Sequence, residues 1–470
     1  MTRYQYVADQ IGRQIRAGVL RPGERVPSMR QARRSYRVSP ATVLQAYRQL
    51  ESLGLIRARP RSGYFVCEHW EGLPAQPATS KPLRTPRNVD VSDLVFEILE
   101  STKQEEIIPL GSAFQDCERF PLQQLGRFLG AAARRISPAR LADSLPPGYA
   151  ELRRGIARRY LGSGFAVSPD DIVITTGGLE ALHLAVQAVA RPGDTVAIES
   201  PTFYSCLQTL ELLGMKALEL PTHPGEGIDL AALAGALRKG RLRACWLMTN
   251  FQNPLGSTMP EEKKRELVAL LAKHDVPLIE DDVYEELYYG IAKPHPAKAF
   301  DTKGMVIHCS SFSKCLAPGY RVGWAAAGRF AGRMREVKLM TTLATNICAQ
   351  AGISDYLRKG GYDYYLRGLR GKLSKNRDEL LRAIKAHFPP GTTATNPDGG
   401  YFLWVELPNR VNALKLHGLA MDAGISIAPG PIFSANRRYG HCMRLNYGHP
   451  WSPRMEKAVV TLGRMVLSLI

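Results

Sequence analysis

Apolar residues recur every third or fourth position through the first fifty residues, then gather into short continuous runs further along. The change of period divides the chain. Tyr4, Val7, Ile11 and Ile15 share one face of a helix predicted over residues 4–17. Arg21-Pro22-Gly23-Glu24 turns the chain. A second helix is predicted after Pro27, with Ser28 as its N-cap. Ser39 caps a third, with Pro40 at the tolerated first position. It runs through Val43, Ala46, Tyr47 and Leu50 to Leu53-Gly54, where glycine ends it. Leu55-Ile56-Arg57-Ala58-Arg59 and Gly63-Tyr64-Phe65-Val66 read as two strands around a basic turn. Three helices and a two-stranded ribbon make a winged helix-turn-helix, an α+β unit over residues 1–67.

Residues 68–106 are predicted to be a linker. Pro74, Pro77, Pro82 and Pro86 are spaced through a polar stretch with no apolar period, which favours an extended, semi-stiff chain. From residue 107 to 470 the pattern is α/β. Ile172-Val173-Ile174-Thr175, Thr195-Val196-Ala197-Ile198, Ala244-Cys245-Trp246-Leu247-Met248, Pro277-Leu278-Ile279 and Met305-Val306-Ile307-His308 are short apolar strands. Helical segments such as 179–190 and 261–273 lie between them. This alternation predicts a mainly parallel sheet covered on both faces. The tail, from about 360 to 470, reads as a smaller α+β subdomain.

Charge sharpens this division. The 470 residues carry a net charge of +19, and residues 1–66 alone hold thirteen arginines, no lysine and three acids. A compact head this basic points to a polyanionic partner, DNA first, or else to a solvated basic face. The eight cysteines are scattered, with no Cys-x-x-Cys pair and no His/Cys cluster, so neither a metal site nor a disulfide framework is expected. No apolar run reaches the roughly 18 residues of a membrane span, and the first residues form no apolar leader. A reduced, cytoplasmic compartment is the simplest expectation.

Candidate chemistry centres on Ser311-Phe312-Ser313-Lys314, with Arg321 seven residues beyond the lysine. A lysine beside hydroxyls and an arginine suits a Schiff base with pyridoxal phosphate (PLP). The lysine needs a desolvated site, and the hydroxyls and guanidinium bind the dianionic phosphate. Gly177-Gly178-Leu179 follows a strand and opens a helix, where backbone amides can meet a phosphate. Asn253, in Asn250-Phe251-Gln252-Asn253-Pro254-Leu255-Gly256, can hydrogen-bond a phenolic oxygen. Asp281 either pairs with a pyridinium nitrogen or caps a helix, and Tyr284 lies three residues on.

Two resemblances join these pieces. Val26-Pro27-Ser28-Met29-Arg30, Val38-Ser39-Pro40-Ala41-Thr42-Val43, Ala46-Tyr47-Arg48-Gln49-Leu50, Gly54-Leu55-Ile56 and Ser62-Gly63-Tyr64-Phe65-Val66 resemble the DNA-binding head of GntR-type regulators. The resemblance implies that the third helix enters the major groove and the wing approaches the minor groove. Arg30, Ser39 and Thr42 are then DNA contacts, Tyr47 reaches a phosphate, and Arg59, Arg61 and Gly63 are wing contacts. Pro40 stands where many relatives have arginine. Arg33, Arg34 and Arg37 are extra charges that either meet phosphates or face water.

Residues 107–470 resemble the fold-type I, class I/II aminotransferases, whose motifs occur here in family order. The resemblance implies that Gly178 and Leu179 bind phosphate through their amides and Phe203 stacks on the pyridine ring. It also implies that Asn253 and Tyr284 hold the phenolic oxygen and Asp281 the ring nitrogen. Lys314 forms the Schiff base, Ser311 and Arg321 grip the phosphate, and Arg444 grips a substrate α-carboxylate. Asp398-Gly399-Gly400-Tyr401-Phe402-Leu403-Trp404 opens the small subdomain. Asp143 stands where relatives often carry a tyrosine that crosses to the partner's phosphate. The two parts together resemble the MocR group of bacterial regulators. That implies a PLP-dependent transcription factor acting on double-stranded operator DNA in response to a small amino-compound effector. It also implies a homodimer in which the head of one chain packs on the body of the other. An active amino-acid aminotransferase carrying a DNA-binding head is the alternative; a regulator for which PLP itself is the signal is a third reading.

Overall fold

The computed structural model describes residues 3–16, 19–21, 23–52, 55–59, 62–67, 73–83, 85–101, 107–137, 142–290 and 292–470. The head comprises α1 (Arg3–Arg16), α2 (Met29–Tyr36), α3 (Pro40–Ser52) and the antiparallel pair β1 (Ile56–Arg59) and β2 (Gly63–Val66). Val7, Ile11, Val43, Ala46, Tyr47 and Leu50 close with Val26, Ile56 and Val66 into one small core. Polar side chains set the helix starts. Gln31 N donates to Ser28 Oγ at 3.2 Å while Ser28 N donates to Gln31 Oε1 at 2.8 Å, a capping box. Thr42 N donates to Ser39 Oγ at 3.2 Å, one residue ahead of Pro40.

The body is built on a nine-stranded sheet: β3 (Arg87–Asn88), β4 (Ile172–Thr175), β5 (Thr195–Ser200), β6 (Lys216–His223), β7 (Gly227–Ile228), β8 (Leu242–Leu247), β9 (Leu278–Asp281), β10 (Val306–Ser311) and β11 (Gly323–Ala326). The spatial order is β3-β6-β5-β8-β9-β10-β11-β4, with β7 on β6. Strands β6, β5, β8, β9 and β10 are mutually parallel; β3 and β11 run against their neighbours. In β4, Ile172 and Ile174 enter one hydrophobic cluster and Val173 another, so both faces of the sheet are covered even at this antiparallel edge strand. The helices that cover it include α4 (Ser92–Ser101), α5 (Leu122–Arg135), α6 (Ala150–Gly162), α7 (Gly178–Val189) and α8 (Tyr204–Leu212). They continue through α9 (Leu230–Arg238), α10 (Glu261–Lys273), α11 (Ala331–Thr341), α12 (Ile347–Lys359) and α13 (Tyr362–His387). A second sheet, β12 (Thr393–Ala394), β13 (Phe402–Glu406), β15 (Cys442–Asn446) and β14 (Ala428–Pro429) in that spatial order, forms the small subdomain with α14 (Ala413–Asp422) and α15 (Pro453–Ser468).

The stretch read as linker needs correction. Of its described residues, Arg87–Asn88 pair with β6, and Ser92–Ser101 form α4. Val91, Val95 and Ile98 are buried at helical spacing, and this apolar stripe secures the segment to the body. Glu211 on α8 accepts from Val91 N, Ser92 N and Ser92 Oγ at 3.0, 3.1 and 2.9 Å, satisfying the free amides at the start of α4.

Candidate cofactor and effector site, and the DNA-reading head

Lys314 follows the C-terminal end of β10, and Asp281 closes the neighbouring parallel strand β9, the ends at which open α/β sheets bind ligands. Its Nζ donates to Ala113 O at 3.1 Å and lies 4.5 Å from the centre of the Phe114 ring. Burial, reinforced by the positive charges of Arg444 and Arg321, lowers the ammonium to about 8. Lys314 is thus held close to the neutral, nucleophilic state.

Asp281 is the last residue of β9 and is buried, with Oδ1 free of any hydrogen-bond partner. Burial pushes its carboxyl up to about 7, against the pull of the Val283 N–H. Asn253 is also fully buried, and its Nδ2 has no partner. Its Oδ1 is already committed, accepting from Arg444 Nη1 at 3.1 Å, so the amide presents a donor outward. Arg444 projects from β15, completely buried, and donates Nη2 to Gly111 O at 2.9 Å and Ser112 O at 3.2 Å. Its guanidinium lies 4.1 Å from the Phe402 ring centre, and its Nε is unpartnered. Tyr284 is buried edge-on to Tyr401 and Phe402, at 5.3 and 5.7 Å between ring centres. Phe203 begins α8 just beyond β5.

The phosphate-binding candidates meet at the start of α7. Gly177 adopts φ +86°, and a Cβ there would overlap the Arg321 guanidinium; a Cβ on Gly178 would lie 3.7 Å from Ser311 Oγ. At Gly177 only glycine lets the Arg321 guanidinium approach the helix N-terminus so closely. Arg321 donates to Ser313 Oγ at 3.3 Å and Thr176 O at 3.4 Å. Leu179, the second helical residue, has an exposed side chain, which leaves its backbone amide as the group available to a ligand.

Asp281 Oδ1 and Arg444 Nε, buried without partners on residues whose charges act on Lys314, and Asn253 Nδ2, on the amide that holds Arg444, are left unpaired at this site. They are a donor, an acceptor and a cation, a set that fits the phenolic oxygen and ring nitrogen of PLP and a carboxylate beside it. Neighbouring Asp282, Glu285 and His308 bring ligand atoms within 4.8 Å of one another, yet their charges are already engaged. Asp282 pairs with His308 at 3.2 Å and accepts from Asn250 at 3.0 Å, and Glu285 meets Lys293 at 2.5 Å.

Sequence reasoning missed the loop at residues 111–115. Ala113 and Phe114 face Lys314, Tyr401 donates to Ala113 O at 3.2 Å, and Gln115 Nε2 donates to Lys314 O at 2.7 Å. Ala113 and Gln115 lie 201 and 199 residues from the lysine, and no local pattern marks them.

In the head, Arg30, Arg33, Arg34, Arg37 and Ser39 are exposed, and Thr42 is half-buried against Ser39 at 2.9 Å between hydroxyls. Arg59 lies 4.6 Å over the Phe65 ring, and Gly63 turns the wing with φ +96°. Arg61 lies outside the described residues. Tyr47 is not a surface residue: its ring is buried edge-on to Tyr64, and its hydroxyl donates to Pro27 O. A phosphate cannot reach it; its hydroxyl instead fastens α3 to the turn before α2.

The aminotransferase class I and II family model matches residues 128–461, and the bacterial regulatory protein gntR family model matches residues 3–66. The HTH-type transcriptional regulator YdcR of Escherichia coli is 46% identical over 466 residues, 99% of either chain. This chain belongs to the same family of two-part regulators. A second such regulator, E. coli YjiR, is 36% identical over 99% of both chains. The body of this regulator superimposes on LysN, an α-aminoadipate aminotransferase of Thermus thermophilus solved with N-(5'-phosphopyridoxyl)-L-leucine. The TM-score is 0.73, at 29% identity over 80% of this chain and 95% of that one. No helix among the described residues is long and apolar enough to cross a membrane.

Proposed function

We propose that this regulator binds PLP at Lys314, recognises an α-amino carboxylate between Lys314 and Arg444, and uses that state to set the affinity of its winged head for operator DNA. The observation that carries the reading is the set of unpartnered Asn253 Nδ2, Asp281 Oδ1 and Arg444 Nε at the site of a lysine lowered to about 8, in a chain with an arginine-rich winged head. Bound PLP supplies an electrophilic carbon to which amines add reversibly. The chain's residues do the rest. Lys314 presents an amine lowered to about 8, so that far more of it is neutral than in an ordinary lysine. Asp281 balances a protonated ring nitrogen, and Asn253 and Tyr284 hold the phenolic oxygen. Phe203 stacks on the ring, while Gly178, Leu179, Ser311 and Arg321 hold the phosphate. Arg444 offers a buried cation to a carboxylate.

In the head, exposed Arg30 and Ser39 and half-buried Thr42 face DNA, with Arg59, Arg61 and Gly63 in the wing. A homodimer with exchanged heads would present two such heads to paired half-sites. The test is DNA binding by the apo-protein and by the PLP-loaded protein with a panel of amino acids. Identical affinities in every state overturn the control of the head by the body.

An amino-acid aminotransferase is the second reading, favoured by the presence of Lys314, Asp281, Tyr284, Arg321 and Arg444 together. Single-turnover spectroscopy separates the two: conversion of the cofactor to its amine form with steady product release is the enzyme's signature, and a stable complex with the amino acid is the sensor's.

A further inference from the structure

The segment joining head to body touches both sheets at points five residues apart. On the small sheet, Ala75 forms a parallel bridge with Thr393, and Ala394 N donates to Ala75 O at 2.9 Å. On the large sheet, Ser80 N donates to Thr222 O at 3.1 Å and Thr222 N donates to Ser80 Oγ at 2.8 Å. Beyond Ser80 the segment stays on the large sheet, since Arg87 and Asn88 pair with Ala217 and Lys216 of β6. Towards the head, Ala75 is nine residues from Val66, the last residue of the wing. Residues 68–72 of that stretch lie outside the described residues.

The two sheets are also the two halves of the proposed site. Lys314 lies in the turn that follows β10 of the large one, and Arg444 is in β15 of the small one. An amino acid held at both ends favours whichever arrangement of the sheets lets both ends be reached. Beside the strap, the sheets meet through hydrogen bonds. Arg444 pairs in register with Trp404 on β13, and Trp404 lies edge-on to Tyr439 at 5.7 Å. The Tyr439 hydroxyl meets Ser200 Oγ of β5 at 2.7 Å. Ser200 N donates to Thr222 Oγ1 at 3.0 Å, and Thr222 is the residue that holds Ser80. Glu219 on β6 accepts from Ala435 N at 3.2 Å and Asn436 Nδ2 at 3.1 Å, a further bond across the joint.

We propose that residues 75–80 are a strap across the joint between the two sheets, through which an amino acid bridging Lys314 and Arg444 repositions the head. This rests on the function proposed above and gives it a route. Relative movement of the sheets must change the Ala75–Ser80 span; with Ser80 and β3 anchored, the displacement falls on Ala75, the end of the strap nearer the head.

The test loads apo-protein with either PLP or N-(5'-phosphopyridoxyl)-L-leucine, which carries both the cofactor and an α-carboxylate. Hydrogen exchange at the Ser80 and Ala394 amides, and operator affinity, are measured for both. A variant with about six Gly/Ser residues inserted between Pro77 and Ala78 gives the strap slack without touching either pocket. In the wild type, exchange at both amides should differ between the two ligands, and DNA affinity by roughly five-fold or more. In the insertion variant, adduct binding and cofactor absorbance should be unchanged while the two DNA affinities converge. A variant that keeps the wild-type ratio overturns the strap, as does wild-type exchange indifferent to the adduct. Exchange that responds while wild-type DNA affinity does not supports the strap and overturns control of the head.

Discussion

Replacing Asp281 with asparagine should stabilise the protein without cofactor and weaken it with cofactor. In the apo-protein the carboxylate is buried with one oxygen unpartnered, and it titrates near about 7 instead of 3.8. Between pH values of about 4 and 7 the folded chain keeps a proton that the unfolded chain has lost. Stability contributed by Asp281 is therefore present below that window and is lost as the pH rises through it. At 1.36 kcal/mol per pH unit the full loss is about 4 kcal/mol. Asparagine cannot ionise, so Asp281→Asn should match the wild type near pH 4 and gain up to ~4 kcal/mol over it at pH 8. Glu199, also buried and raised to about 8, feels the Asp281 charge, so part of the gain comes from relieving it. PLP reverses the order: a protonated ring nitrogen gives the wild-type carboxylate its missing partner. Losing that charge-assisted bond should weaken PLP binding by roughly ten- to a hundred-fold. Urea unfolding of both proteins at pH 4.5 and 8, with and without PLP, measures all four corners. A wild-type-to-variant difference that is the same at both pH values without cofactor would refute the electrostatic argument.

The other predictions are simpler. Covalent attachment of PLP needs a neutral Lys314 amine, so its rate should rise with pH around a midpoint near about 8, followed by absorbance; a midpoint above about 10, an ordinary lysine's value, contradicts the desolvated site. Arg444→Gln should reduce the affinity for α-amino carboxylates by about a hundred-fold while leaving that for simple amines within about two-fold, read by titrating the holo-protein. Tyr47→Phe should cost the head about 1 kcal/mol by leaving Pro27 O unpaired, while the slope of DNA affinity against salt stays as in the wild type; a slope reduced by nearly one would restore Tyr47 as a phosphate contact.

The large-scale division was legible because burial on both faces forces continuous apolar strands, and because helix caps are local. Ser28 and Ser39 act within three residues of themselves, so sequence suffices to find them. Lys314, Asp281 and Asn253 could be proposed from sequence for a similar reason: each lies in a short motif at or just after a strand. The failures were contacts across distance. Phe114 and Gln115 reach Lys314 only through the fold, and the Ala75–Thr393 and Ser80–Thr222 contacts have no trace in composition. Tyr47 is a different case, because the spacing of Val43, Ala46, Tyr47 and Leu50 already put it on the apolar stripe of α3. Its phosphate role came from resemblance alone, and the period was the better guide. The apolar stripe of α4 was likewise present in Val91, Val95 and Ile98, and was obscured by the prolines that precede it.

Operator affinity measured by fluorescence anisotropy for apo-protein, PLP-loaded protein and PLP-loaded protein saturated with an amino acid tests the central claim most directly. The account predicts at least two distinct dissociation constants, with the amino-acid response lost in Lys314→Ala. One constant shared by all three states, or a response that survives Lys314→Ala unchanged, would contradict it.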